Sequence, residues 1–124
     1  MEARPDCLRF ISSSFQSIWS LELLLQLKNS PSAASLTEEL VAALRASDAV
    51  VSQAVQGLLA AGLIVEEGQG AVRYAPVSAE LDALVGEAES LYKARPDAVR
   101  RLIIRGAAGD LAAFTDAFRL RGIE

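Results

Sequence analysis

Histidine is missing from all 124 residues. With it go the commonest metal ligand and the commonest general base near neutral pH. The single cysteine, Cys7, excludes an intrachain disulfide, and nothing around it has metal-ligand spacing. That usage fits a reducing compartment. Cys7 also lacks a neighbouring Cys or His, and Arg9 is the only nearby cation to lower its pKa, so a redox-sensing role is not expected. The longest apolar run, residues 57–65, is too short to span a bilayer and lies between Gln56 and Glu66. The first six residues are polar and lack the basic-then-apolar order of a secretion signal. We therefore expect a cytoplasmic chain with no membrane partner. Catalytic equipment is absent as well. Ser12, Ser13 and Ser14 have no base to activate them, and no phosphate-binding loop is visible. The pairs Glu38–Glu39 and Glu66–Glu67 stand without His or Cys, which reads as solvated faces rather than metal ligands. Neither an enzyme, nor a metal, nor a cofactor is expected.

What the chain does have is apolar side chains, 52% of its residues, with a net charge of −4. This is ample for one core and rich for a small monomer. The surplus must lie in helices buried on several sides or meet another copy. Phe15, Ile18, Trp19 and Leu25 follow helical spacing and predict a helix from about Phe15 to Lys28, ended by Asn29-Ser30-Pro31. Trp19, in phase with Phe15 and Leu23, is expected in the core. The stretch before it, with Cys7, Leu8, Phe10 and Ile11, reads as a separate short helix or an extension of this one.

Ser35-Leu36-Thr37-Glu38 matches a capping box with Ser35 as N-cap. The helix it opens carries Leu36, Leu40, Val41 and Leu44 on one side and stops near Arg45 or Ala46. Ser47-Asp48 is a fresh N-cap, so two helices cross steeply over a short turn. The next helix, about Asp48 to Ala61, turns Val51, Val55, Leu58 and Leu59 inward and Val50, Ser52, Gln53 and Gln56 outward. Gly62 stands where a left-handed C-terminal residue is wanted. A strand Leu63 to Glu66, a glycine-rich turn Glu67 to Gly70 and a returning strand Ala71 to Ala75 follow, closed by Pro76. Beyond it Leu81, Leu84, Val85, Ala88, Leu91 and Tyr92 repeat at helical spacing. Pro96 sits at a favourable first-turn position of a further helix with Val99, Leu102, Ile103 and Ile104, ended by Gly106. Asp110 would cap a last helix bearing Leu111, Phe114, Phe118 and Leu120.

The segments LTEELVAAL and SDAVVSQAVQGLLAAGLIVEEGQGAVRY resemble the winged helix-turn-helix transcriptional regulators, a superfamily that includes MarR-type proteins. The resemblance implies a mainly α fold with a small β-wing, a winged helix-turn-helix with additional N- and C-terminal helices. Residues 1–34 would be an N-terminal helical segment supplying the first helix, 35–76 the helix-turn-helix and wing, and 77–124 C-terminal helices that complete the core or dimerise. It implies DNA binding by a homodimer, with the third helix in a major groove and the wing on the backbone. Carried over, Thr37 and Ser47 would meet phosphates. Val50, Ser52, Gln53 and Gln56 would face base edges, and Gln69 and Arg73 would represent the wing.

Charge departs from that pattern. Such regulators place basic residues where Ser52, Gln53, Glu66 and Glu67 stand. Residues 35–76 hold Arg45 and Arg73 against Glu38, Glu39, Asp48, Glu66 and Glu67, a balance of −3 on the unit that should approach a polyanion. An alternative therefore stands beside DNA binding: a winged-helix module for protein–protein interaction, with an acidic wing and an uncharged third helix. Residues 77–91 carry four carboxylates and no cation, whereas 92–124 hold seven cations against four carboxylates. We expect these blocks to pair, within one chain or across a dimer. The rival reading makes Arg100, Arg101 and Arg105 a secondary basic patch for nucleic acid.

Overall fold

Serine hydroxyls open three of the helices. The computed structural model describes residues 5–30 and 34–107, and its elements run α1 (Pro5–Ser14), α2 (Ile18–Lys28), α3 (Thr37–Leu44), α4 (Asp48–Ala60), β1 (Ile64–Glu67), β2 (Ala71–Tyr74), α5 (Ala79–Ala94) and α6 (Pro96–Ala107). Ser17 accepts from the Ser20 amide at 3.3 Å, Ser47 from Val50 at 3.2 Å and Ser78 from Leu81 at 3.1 Å. Each hydroxyl satisfies a first-turn N–H that has no partner within the helix. Pro96 takes the first position of α6, where its missing N–H costs nothing. The architecture is mainly helical with one small two-stranded antiparallel sheet. The stretch before residue 15 is a helix of its own.

Two helix starts differ from the sequence expectation. The leucine-rich helix starts at Ile18 rather than Phe15, because Ser17 caps it in extended backbone. Phe15 lies in the joint between α1 and α2, yet stays buried, its ring edge-on to Phe10 at 5.6 Å. Only the glutamate half of the expected capping box forms, and one residue further on. Leu36 is the N-cap of α3, and its amide donates to the Glu39 carboxylate at 2.8 Å. Ser35 is taken by the sheet instead, exchanging backbone hydrogen bonds of 2.8 and 2.9 Å with Val72. Leu36 is consequently exposed rather than on the inner side of α3, and Leu40 is that helix's buried residue.

The turn between α3 and α4 is tight. Arg45 ends α3 in the left-handed region, at φ 56°, and its amide donates to the Val41 carbonyl. Ser47 follows as the next cap. At the far end of α4 the chain leaves by a Schellman motif. Gly62, at φ 77°, donates to the Leu59 carbonyl at 3.1 Å, and the Leu63 amide reaches Leu58 at 3.1 Å. β1 and β2 then pair with Ile64 opposite Tyr74 and Glu67 opposite Ala71, joined by a 3-10 turn over Gly68–Gly70. β1 is shifted one residue from its expected limits, and β2 starts at Ala71 as expected but ends one residue early.

α2 is the centre of the molecule. Leu21, Leu23, Leu24, Leu25 and Leu27 are all buried, which no single apolar stripe would require. The helix has neighbours on several sides, namely α3, α4, β2 and α6. α1 packs on α5 and α6, and α5 on α6. Much of the apolar surplus is thus consumed inside one chain. α6 buries Val99 and Ile103 and leaves Ile104 exposed, and it continues to Ala107, one residue past Gly106. The helix expected from Asp110 lies outside the described residues.

Polar contacts fasten α5 to the centre. Tyr74 donates to Asp82 at 2.6 Å, Tyr92 donates to Glu22 on α2, and Lys28 donates to Glu89 at 2.9 Å. Burial first, and then the facing carboxylate, push both tyrosine hydroxyls above their ordinary pKa, so they stay protonated donors. The hydrogen bond from Lys28 holds the Glu89 carboxyl below the ordinary range, against the opposing pull of burial. A carboxyl depressed in the folded state adds stability above its unfolded pKa and loses it as pH falls through its folded pKa. Lys28→Met should therefore destabilise the chain near neutral pH, with the gap to wild type closing as the solution is acidified below the ordinary carboxylate range. Thermal melts across that range measure it, and a gap independent of pH would refute the assignment.

Candidate interaction face

The outer side of α4 is uncharged over most of its length. Ser52, Gln53 and Gln56 are exposed along it, as the sequence led us to expect, while Val51, Ala54, Val55 and Leu58 are buried beneath. Leu59 is half-buried and packs against the core. Two grooves adjoin this helix and share Gln16 and Gln53. One runs between Ser17, Trp19 and Ser20 of the α2 end and Val50 and Ala54 of α4. The other is bounded by Ser52, Gln56, Gly57 and Ala60. No residue lining either groove carries a charge. Gly57 leaves room for the Gln16 amide, whose Cδ would lie 3.8 Å from a Cβ at that position.

Trp19 is corrected by the structure. It is half-buried and lines the first groove, outside the core cluster that holds Phe15 and Leu23. Its expected phase relation with Phe15 fails because the helix begins only at Ile18. Sequence reasoning missed Gln16 as well, and for the same reason. A residue in a helix joint has no periodicity to reveal what it faces.

The other expected contacts are scattered or already engaged. Thr37 is the first residue of α3 and half-buried. Ser47 is exposed, but its hydroxyl accepts the Val50 amide. Val50 is half-buried at the groove edge. Gln69 sits in the turn between the strands, and its side chain lies outside the described residues. Arg73 on β2 donates from Nε to Glu67 at 2.7 Å, so the hairpin's cation is paired within the hairpin.

Two carboxylates of the acidic block 77–91 make contacts outside the basic block that follows it. Lys93 lies 3.8 Å from Glu89 one turn earlier, but Glu89 is held more closely by Lys28 of α2. Asp82 accepts from Tyr74. Arg100 is 3.4 Å from Asp97 within α6 and stands over the Tyr92 ring at 6.0 Å. Arg100, Arg101 and Arg105 are all exposed on α6. Among the described residues no group of three His, Cys, Asp or Glu could hold a metal, and no helix is long and apolar enough to cross a membrane. No buried side-chain nitrogen or oxygen among them lacks a hydrogen-bond partner. Compared with protein-family models, with curated proteins and with solved structures, the chain finds no match in any of the three.

Proposed function

We propose that this chain is a winged helix-turn-helix module whose α4 face docks onto protein. The helix order α2, α3, α4 followed by a hairpin supports the fold reading, as does the short backbone bridge from Ser35 to β2. The observation that carries the functional reading is the uncharged face itself, from Trp19 across Gln53 to Ala60. Depletion of charge with an aromatic residue at hand is the composition of a protein interface core. Duplex DNA asks for the opposite, since phosphate neutralisation supplies most of the affinity. Here Arg73 is already held by Glu67, and the unit carries an acidic balance.

A second reading keeps DNA as the target, with the protein a transcriptional regulator. It is favoured by the exposure of Ser52, Gln53 and Gln56 on one helix face, since a glutamine amide can read adenine through two hydrogen bonds. A mobility-shift assay with random-sequence duplex at low salt separates the two. We expect no shift at micromolar protein. A shift that fades steeply as salt rises would transfer the function to DNA.

A further inference from the structure

We propose that the exposed face of α6 is a second docking site, separate from the α4 face, and that it takes an acidic helical segment of another protein. Arg100, Arg101, Ile104 and Arg105 are exposed and stand one or four residues apart, so they share one side of the helix. Lys93 and Arg95, also exposed, carry the same charge to the joint between α5 and α6. From Lys93 to Arg105 the chain holds five cations and one carboxylate, Asp97, although its net charge is −4. Arg100 is engaged by Asp97 and by the Tyr92 ring. Arg101 and Arg105 have no ion pair among the described residues, in a chain with carboxylates to spare.

Ile104 selects the partner. It is 63% exposed, one turn after Arg100 and next to Arg105, an aliphatic side chain among guanidinium groups. A phosphate backbone offers it nothing to cover. An acidic amphipathic helix supplies both halves of the match, carboxylates for the arginines and an apolar residue for Ile104. Arginine suits that partner better than lysine, because its planar fork takes a carboxylate through two parallel hydrogen bonds. Arg101 and Arg105 are about 6 Å apart along the axis, the same rise as two glutamates four residues apart on a partner helix. Reach points the same way. Exposed charges act over only about 8 Å at physiological salt. A short segment on α6 therefore meets the local positive face, whereas a membrane plane or a long duplex also meets the acidic remainder of the chain.

Fluorescence anisotropy with a labelled synthetic helix tests this, its one face bearing glutamates four residues apart with a leucine between them. Wild type should bind it saturably, and should bind a version with glutamine for glutamate at least about tenfold more weakly. Arg101→Glu with Arg105→Glu should cost at least about tenfold for the glutamate peptide and should take a lysine version instead. Ile104→Ser should cost about fivefold, a loss that charge alone does not explain. These positions are exposed, so circular dichroism melts should show the variants folded like wild type. Arg101→Gln with Arg105→Gln, which puts no acid at the end of α6, repeats the test if charge reversal unfolds the helix. Gln53→Lys, on the α4 face, should leave peptide affinity unchanged. A glutamate peptide that does not bind overturns the proposal, as does binding indifferent to the arginines or to Ile104, or binding lost in Gln53→Lys. Tighter binding to phosphatidylserine-containing vesicles or to a short duplex, lost in the same arginine variants, overturns it too.

Discussion

Replacing Leu24 by alanine should destabilise the fold by about 3 kcal/mol, within the range for deleting a buried leucine side chain. Leu24 is fully buried in α2, the helix that packs against α3, α4, β2 and α6. Neighbours on several sides cannot all move into the same void, so the cavity left behind stays largely open. A domain of this size is stable by only about 5–15 kcal/mol, and the loss is a large share of that. Urea unfolding followed by circular dichroism measures it. The midpoint should fall while the slope of free energy against urea stays the same. Gln26, exposed on the same helix, is the control, and Gln26→Ala should change stability by less than about 0.5 kcal/mol. A cost at Leu24 equally small would mean that α2 is not the centre of the molecule.

Gly62→Ala comes next, at about 1–2 kcal/mol, the cost of holding an L side chain in the left-handed region. Two terms contribute. The backbone at φ 77° disfavours any Cβ, and an added Cβ would lie 3.2 and 3.3 Å from the two methyls of Val77. Val77 is 74% exposed, so its side chain can turn away into solvent. The backbone term should therefore dominate. A cycle with Val77→Ala tests this division. The two substitutions should be additive within about 0.5 kcal/mol, whereas strong coupling would show that the methyl contact matters more. The glycine terminates α4 and aims the chain into β1. Strain there also loosens the hydrogen bond from the Val77 amide to the Gly62 carbonyl at 2.9 Å.

Much of the local grammar was legible beforehand. Ser47 as an N-cap, Gly62 as the left-handed exit from α4 and Pro96 at the first position of α6 all stand where the residues indicated. Each depends on the conformational preferences of a few neighbouring residues. The outward exposure of Ser52, Gln53 and Gln56 was legible for a related reason. Once α4 has its start and period, the polar side is determined by which residues are apolar.

The misreadings share one cause. Ser35 is as good a cap as Ser47 in isolation, but Val72 lies within reach of its backbone, and the bridge to β2 moves the cap to Leu36. Trp19 and Leu23 stand one helical turn apart on α2, yet only Leu23 is covered. Of the acidic run 77–91, expected to pair with the basic residues after it, Glu89 does lie 3.8 Å from Lys93, but Asp82 and Glu89 also meet Tyr74 and Lys28, which the tertiary packing brings alongside.

The order of residues alone therefore determined the helices, the hairpin and the side of α4 that water sees, because those follow from backbone preference and apolar period over a few residues. Tertiary packing decided which polar groups find partners, that Arg73 is held by Glu67, and that Trp19 borders a groove with no charged residue in its walls. Contacts between distant segments are formed by collapse around α2, and no local pattern encodes which neighbours that collapse will supply.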